Sequence, residues 1–160
     1  MEVSLDLIED YKFRATTSKD EFVLDCNKIT PVEYFATGLI GCTAYDIKYF
    51  AQRDGYELLN YSVKANIQRS SGVPYKFDLI HIIYSFDSNI EDIKAKRYIL
   101  ASLESYCTTI NSIRDSVKVT FSIINNGSVV AEDESIISGK SSSGEAIIDD
   151  GFGAACCSSS

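Results

Sequence analysis

Apolar and polar residues alternate in places over the first 27 positions. Val3, Leu5 and Leu7 stand against Glu2, Ser4 and Asp6, and Tyr11, Phe13 and Ala15 follow. With Phe22 and Leu24 after them, this period of two predicts two or three short antiparallel strands. The period then lengthens. Thr30, Pro31 and Glu33 read as a capping box with proline at the first helical position, and Gly55 offers a left-handed stop. Between them a helix of about 24 residues, on the order of 36 Å long, is predicted. Its first half (Phe35, Ala36, Gly38, Leu39, Ile40, Gly41) has almost no polar face and is expected to be buried on several sides. Gly38 and Gly41 each cost about 1 kcal/mol relative to alanine inside a helix. Glycines there suggest close approach of another backbone, such as a second copy of the same helix.

Two strands are predicted next. "YSVKANIQR" puts Tyr61, Val63, Ala65 and Ile67 on one face and Ser62, Lys64, Asn66 and Gln68 on the other. "KFDLIHIIYSF" is apolar on both faces, as a central strand would be. The loop "SSGVP" joins the two as a hairpin. Ser88 and Glu91 suggest a second capping box, opening a helix through about Ser105, and "CTTINSIRDS" a short helix from near Cys107. "VKVTFSII" alternates again, with Val117, Val119, Phe121 and Ile123 inward. The order predicts an α+β fold with helices on one face of a sheet. After Asn125 the chain becomes rich in Gly, Ser and acidic residues, so residues 1–125 are expected to form the domain and 126–160 a flexible tail.

Composition narrows the function classes. A net charge of −8 argues against a footprint on nucleic acid or anionic membrane. No run approaches the roughly 18 apolar residues that would span a bilayer. The N-terminal stretch is acidic and mixed, without the pattern of a secretion signal, which leads to the expectation of a cytoplasmic protein. The five cysteines, Cys26, Cys42, Cys107, Cys156 and Cys157, are an odd number and include no CxxC pair. With one histidine, His81, a closed zinc site would need nearly all cysteine, so no structural metal is expected. His81 and Cys26 read as structural residues. Cys156 and Cys157 read as tolerated in the tail, although paired thiols on a flexible segment could also pass electrons to a site.

The phrases "PVEYFATGLIGCTAYDI" and "ASLESYCTTINSI" lie in this order, with a hairpin containing "QRSSGVPYKF" between them. Together they resemble the osmotically inducible protein C and organic hydroperoxide resistance (OsmC/Ohr) family over about residues 1–125. The resemblance implies an OsmC-like fold, antiparallel sheets around a long central helix in an intertwined homodimer. It also implies a thiol peroxidase in which Cys42 is the peroxidatic and Cys107 the resolving cysteine. The implied partners are a second copy of the chain, a small organic hydroperoxide and a dithiol reductant; no metal or organic cofactor is implied.

The chain also departs from the pattern of the well-characterised peroxidases. They carry a glutamate directly after the helix-opening proline and pair it with an arginine from an N-terminal Gly-rich turn. Here Val32 follows Pro31, Glu33 comes one step later, and the candidate cations are Arg69 and, less directly, Arg14. Asp46 stands four residues after Cys42 on the same helix face, where a carboxylate disfavours a thiolate. A cation, Arg69 or Arg14, is therefore expected to approach Cys42 or pair with Asp46. Two other readings stay open. One is a non-catalytic dimer binding a small apolar or electrophilic ligand, and the other is a thiol redox sensor; the tyrosines read mostly as core and interface packing, although Tyr34 and Tyr45 could line an apolar substrate pocket.

Overall fold

The computed structural model describes residues 1–136. The chain divides into two units, residues 1–38 and Leu39 onward. In the first, β1 (Val3–Glu9), β2 (Lys12–Thr17) and β3 (Glu21–Asp25) form an antiparallel sheet in sequential order. Leu5 pairs with Ala15 and Leu7 with Phe13 across β1 and β2, and Phe13 with Leu24 across β2 and β3. The helix α1 (Pro31–Arg53) begins in this unit and continues into the next. Its capping box forms as the sequence predicts. Thr30 N–H donates to Glu33 Oε2 at 2.8 Å, and Glu33 N–H donates to Thr30 Oγ1 at 3.3 Å.

The second unit holds a four-stranded sheet in the order β4 (Leu59–Arg69), β5 (Phe77–Asp87), β6 (Lys118–Asn125), β7 (Ser128–Ser135). All pairs are antiparallel except β5 with β6, which is parallel. A parallel pair needs a long crossover. It consists of α2 (Asp92–Ala101), a π-helical turn (Ser102–Tyr106) and α3 (Thr108–Ile113). Ile80, Ile82, Tyr84 and Phe86 alternate onto the buried face of β5, and Val119, Phe121 and Ile123 do so on β6. They form one core with Leu39, Ile47, Phe50 and Ala51 of α1 and with Tyr98, Ile99 and Leu103 of the crossover. Among the described residues no helix is long and apolar enough to cross a membrane.

Three expectations are corrected. Among the described residues the first half of α1 is not buried on several sides: Phe35 is 49% exposed, and a Cβ built on Gly38 or Gly41 meets no described atom within 4 Å. Only the stripe of Leu39, Thr43, Asp46, Ile47, Phe50 and Ala51 is buried. The second capping box does not form; Glu91 is the N-cap of α2 and makes no side-chain cap bond. Ser88 instead donates its hydroxyl to Asn125 Oδ1 and its N–H to Asn126 Oδ1, tying the end of β5 to the β6–β7 turn. Third, β7 lies inside the span assigned to the tail. Asn126 and Gly127 both have positive φ, the pair that a two-residue hairpin turn requires, so the chain folds back onto β6. The rest of the expected tail, with Cys156 and Cys157, lies outside the described residues.

The end of α1 carries a charged anchor. Burial opposes ionisation of Asp54, but hydrogen bonds from Tyr98 Oη (2.6 Å), Lys94 (3.0 Å) and Arg53 (2.9 Å) hold its carboxyl down at about 2. A depressed folded-state value means that the carboxylate contributes fully above its ordinary value of 3.8, and that this contribution is lost as pH falls toward 2. Asp54→Asn should lower stability at pH 7 by about 1.5–3 kcal/mol, the range for hydrogen bonds to charged groups. Urea unfolding at stepped pH should show the gap to the native chain closing between pH 4 and 2.

Candidate functional site

Two elements of the second unit bring three chemical groups together. On α1, Cys42 and Asp46 are four residues apart, so their side chains leave the same face one turn apart. Cys107 sits where the π-helical turn ends and α3 begins, in an extended conformation that makes it the N-cap of α3. Its N–H reaches back five residues to the Ser102 carbonyl at 2.8 Å, closing the wide turn. Turns of this kind recur at functional sites because the extra residue redirects the side chains that follow. Here the Cys42 and Cys107 sulfurs and a carboxylate oxygen of Asp46 all lie within 4.8 Å of one another. Cys42 is half-buried, and Cys107 and Asp46 are fully buried. Both cysteines are free thiols.

The surroundings give the two sulfurs different characters. Hydrogen bonding with Cys42 and then burial push the Cys107 thiol far above its ordinary value, against the Thr109 hydroxyl and the Ile110 N–H, which pull it down. Thr109 Oγ1 lies 3.2 Å from both the Cys107 sulfur and the Leu39 carbonyl oxygen, tying α3 to α1 beside the cysteines. Cys107 is therefore held as a thiol at neutral pH.

A buried row of hydroxyls runs from Asp46 into the core. Ser102 Oγ lies 2.8 Å from Asp46 Oδ2 and 2.9 Å from Thr43 Oγ1, and Thr43 Oγ1 lies 2.7 Å from Tyr84 Oη. Ser102 has one hydroxyl proton, and an ionised Asp46 can only accept. That proton stands within reach of two acceptors, Asp46 Oδ2 and Thr43 Oγ1, and the Thr43 and Tyr84 hydroxyls share the next bond of the row. Burial holds the Tyr84 phenol well above its ordinary value, which keeps it a donor. Tyr61 flanks the row, donating to the Ala44 carbonyl at 3.1 Å; burial and the Asp46 charge push its phenol up as well. Nothing in the sequence assigns a role at the site to Thr43, Ser102, Tyr84 or Thr109. A serine or threonine becomes informative only when the fold sets it against a carboxylate or a thiol.

The other residues singled out from the sequence have different settings. Glu33 is exposed in the first unit and is engaged by Thr30, whose hydroxyl holds its carboxyl below the ordinary value. Arg14 is exposed on β2, between Asp6 and Val23 of the neighbouring strands, and Arg69 is exposed at the end of β4. Neither arginine forms an ion pair with another described residue. His81 is held by Thr120 Oγ1 at 2.8 Å and Ser122 Oγ at 3.2 Å. Glu104, read as a surface residue, is only 6% exposed within the π-helical turn.

The model of the OsmC-like protein family matches residues 24–122. The chain belongs to the OsmC-like family. Cys42, Asp46, Cys107 and every hydroxyl of the row fall inside the matched span. Solved structures share the fold. A hypothetical protein from Aquifex aeolicus superposes with a TM-score of 0.68 at 20% identity, over 78% of this chain and 96% of that one. An OsmC-like protein from Mycoplasma pneumoniae gives 0.65 at 15% identity, over 78% and 95%. The organic hydroperoxide resistance protein OhrB of Bacillus subtilis gives 0.54 at 13% identity, over 77% and 98%. No curated protein sequence matches the chain. At these identities the structural likeness speaks for the fold, and the chemistry rests on this OsmC-like chain's own residues.

Proposed function

We propose that this OsmC-like protein is a homodimeric thiol peroxidase that reduces organic hydroperoxides, with Cys42 as the peroxidatic and Cys107 as the resolving cysteine. The observation that carries the reading is the close pair of reduced sulfurs, one of them held as a thiol. A thiol that hydrogen-bonds to a neighbouring sulfur favours negative charge on that neighbour. Cys107 thus supports a thiolate on Cys42, the half-buried member that a substrate can reach. The Cys42 thiolate attacks the terminal oxygen of the hydroperoxide. The O–O bond breaks, Cys42 becomes a sulfenic acid, and the alkoxide takes a proton and leaves as an alcohol. Cys107 then attacks the Cys42 sulfur, its proton leaves with the sulfenic hydroxyl as water, and a disulfide forms. A cellular dithiol supplies two electrons to restore the pair.

Dimerisation is part of the proposal. Tyr45 and Tyr49 stack on one another on α1 at 57% and 40% exposure, and Val3, Leu5 and Leu7 of β1 are also exposed. Apolar surface of this kind in one chain is what a second copy covers. A partner can also supply the cation beside Cys42 that the chain's Arg14 and Arg69 are proposed to provide across the dimer.

The test is direct. Reduced full-length protein is mixed with cumene or tert-butyl hydroperoxide, and separately with hydrogen peroxide. One equivalent of organic hydroperoxide should remove two thiols per chain and leave a Cys42–Cys107 disulfide in peptide mass maps. If Cys42 is consumed no faster than free cysteine, the proposal fails. That outcome would favour the non-catalytic reading, for which the buried Asp46 carboxylate beside both sulfurs is the supporting observation.

A further inference from the structure

The three groups that meet at Cys42 also form a ligand set of another kind. We propose that the reduced protein binds one soft divalent cation of the zinc class between Cys42 Sγ, Cys107 Sγ and the Asp46 carboxylate. The geometry is suitable. Around tetrahedral zinc, with sulfur at about 2.3 Å and oxygen at about 2.1 Å, ligand atoms stand about 3.5–4 Å apart. The three atoms here lie within 4.8 Å of one another, so closing on an ion needs shifts on the order of 1 Å or less. Two are helix residues at i and i+4, the spacing that places two ligands on one face, and the third is the cap of a neighbouring helix.

Ligand chemistry narrows the ion. Two sulfurs among three ligands select zinc, cadmium or cobalt over calcium and magnesium, which take oxygen. The surroundings are those of a prepared site. Asp46 Oδ2 is held by Ser102 Oγ at 2.8 Å, Ser102 Oγ meets Thr43 Oγ1, and Thr43 Oγ1 meets Tyr84 Oη, all buried. Such outer contacts fix the direction of a first ligand. Three protein ligands leave the fourth tetrahedral position to water or an exchanging ligand.

Binding moves no electrons. Each thiol gives its proton to solvent, two Sγ–metal bonds and one O–metal bond form, and the ion's two charges offset those of the two thiolates. The same sulfurs cannot hold the ion and form a disulfide together. Oxidation of the pair by two electrons must therefore release the ion, and a bound ion shields both thiols from oxidants.

The test uses reduced full-length protein and needs no peroxide, so it can fail or succeed independently of the peroxidase reading. Zinc is titrated against a chromophoric chelator, and cobalt(II) is followed by its visible bands and its sulfur-to-metal charge transfer. One ion per chain is expected, with sulfur charge transfer present. Cys42→Ser and Cys107→Ser should each weaken zinc at least about 100-fold and reduce the charge-transfer intensity. Asp46→Asn should weaken it about 10- to 100-fold with that intensity retained, and Ser102→Ala about 10-fold. The double variant Cys156→Ser/Cys157→Ser and the variant Cys26→Ser should bind as the native chain does, and the disulfide form should not bind. Circular dichroism checks that each variant is folded. Native affinity in either single-site cysteine variant would overturn the proposal, as would loss of binding only in the tail variant. Unchanged affinity in Asp46→Asn would remove the carboxylate from the site and overturn the three-ligand assignment.

Discussion

Cys42→Ser is expected to leave the protein folded and to lower organic hydroperoxide turnover by a factor of about 10³ or more. Serine is close to cysteine in size, and Cys42 is only half-buried, so packing changes little. Its hydroxyl, however, does not ionise near neutral pH and is a far poorer nucleophile than a thiolate. Cys107→Ser should behave differently. The first equivalent of hydroperoxide is still consumed, but no intramolecular disulfide follows, and Cys42 accumulates as sulfenic and then sulfinic acid. Stopped-flow consumption of peroxide, with mass spectrometry of the modified peptides, separates the two. A Cys42→Ser protein that keeps more than about a tenth of native turnover would remove Cys42 from the nucleophile's role. Asp46→Asn serves as a companion. It keeps an acceptor for Ser102 and removes the negative charge beside the sulfurs, so capture of Cys42 by a thiol reagent at pH 7 should speed up, by up to about 10-fold.

Phe50→Ala should cost about 3–5 kcal/mol, the range for emptying a large aromatic site in a close-packed core. The side chain is fully buried, with its ring centroid 5.5 Å from that of Tyr106 and 6.0 Å from that of Tyr98. Tyr106 is the residue before Cys107, so the cavity opens directly beneath the turn that carries Cys107. A domain stability of about 5–15 kcal/mol leaves little margin for such a loss. Urea unfolding should show a large fall in midpoint. At temperatures where the variant is still folded, over-oxidation of Cys42 should rise because Cys107 is less well placed. A loss under about 1 kcal/mol would mean that the three rings do not hold the crossover against α1.

Helices with strong start signals and strands with clear alternation were legible from the residues, because both depend on neighbours in the chain. The Thr30–Glu33 box forms as read, and β4, β5 and β6 present the faces that their patterns assign. Ser88 and Glu91 have the spacing of a box but a different fate, since two asparagines from a distant turn claim Ser88. The Asn126-Gly127 turn was visible as a local signal. The acidic and serine-rich composition around it points the other way, toward disorder, yet Ala131 of β7 finds a buried place against Ile123.

The family, the α+β class, the long helix and the two internal cysteines follow from the sequence by itself, because local patterns and a set of ordered motifs carry them. The tertiary structure alone decided what surrounds those cysteines. Cys107 is 65 residues from Cys42 in the chain, and only the parallel crossover and its π-helical turn bring the two sulfurs and Asp46 within 4.8 Å. The same packing removes Asp46 from solvent, where i+4 spacing alone left it free to face water, and sets Ser102, Thr43 and Tyr84 behind it. Reactivity depends on charge, burial and hydrogen bonds from residues distant in the chain, and these exist only once the core has closed.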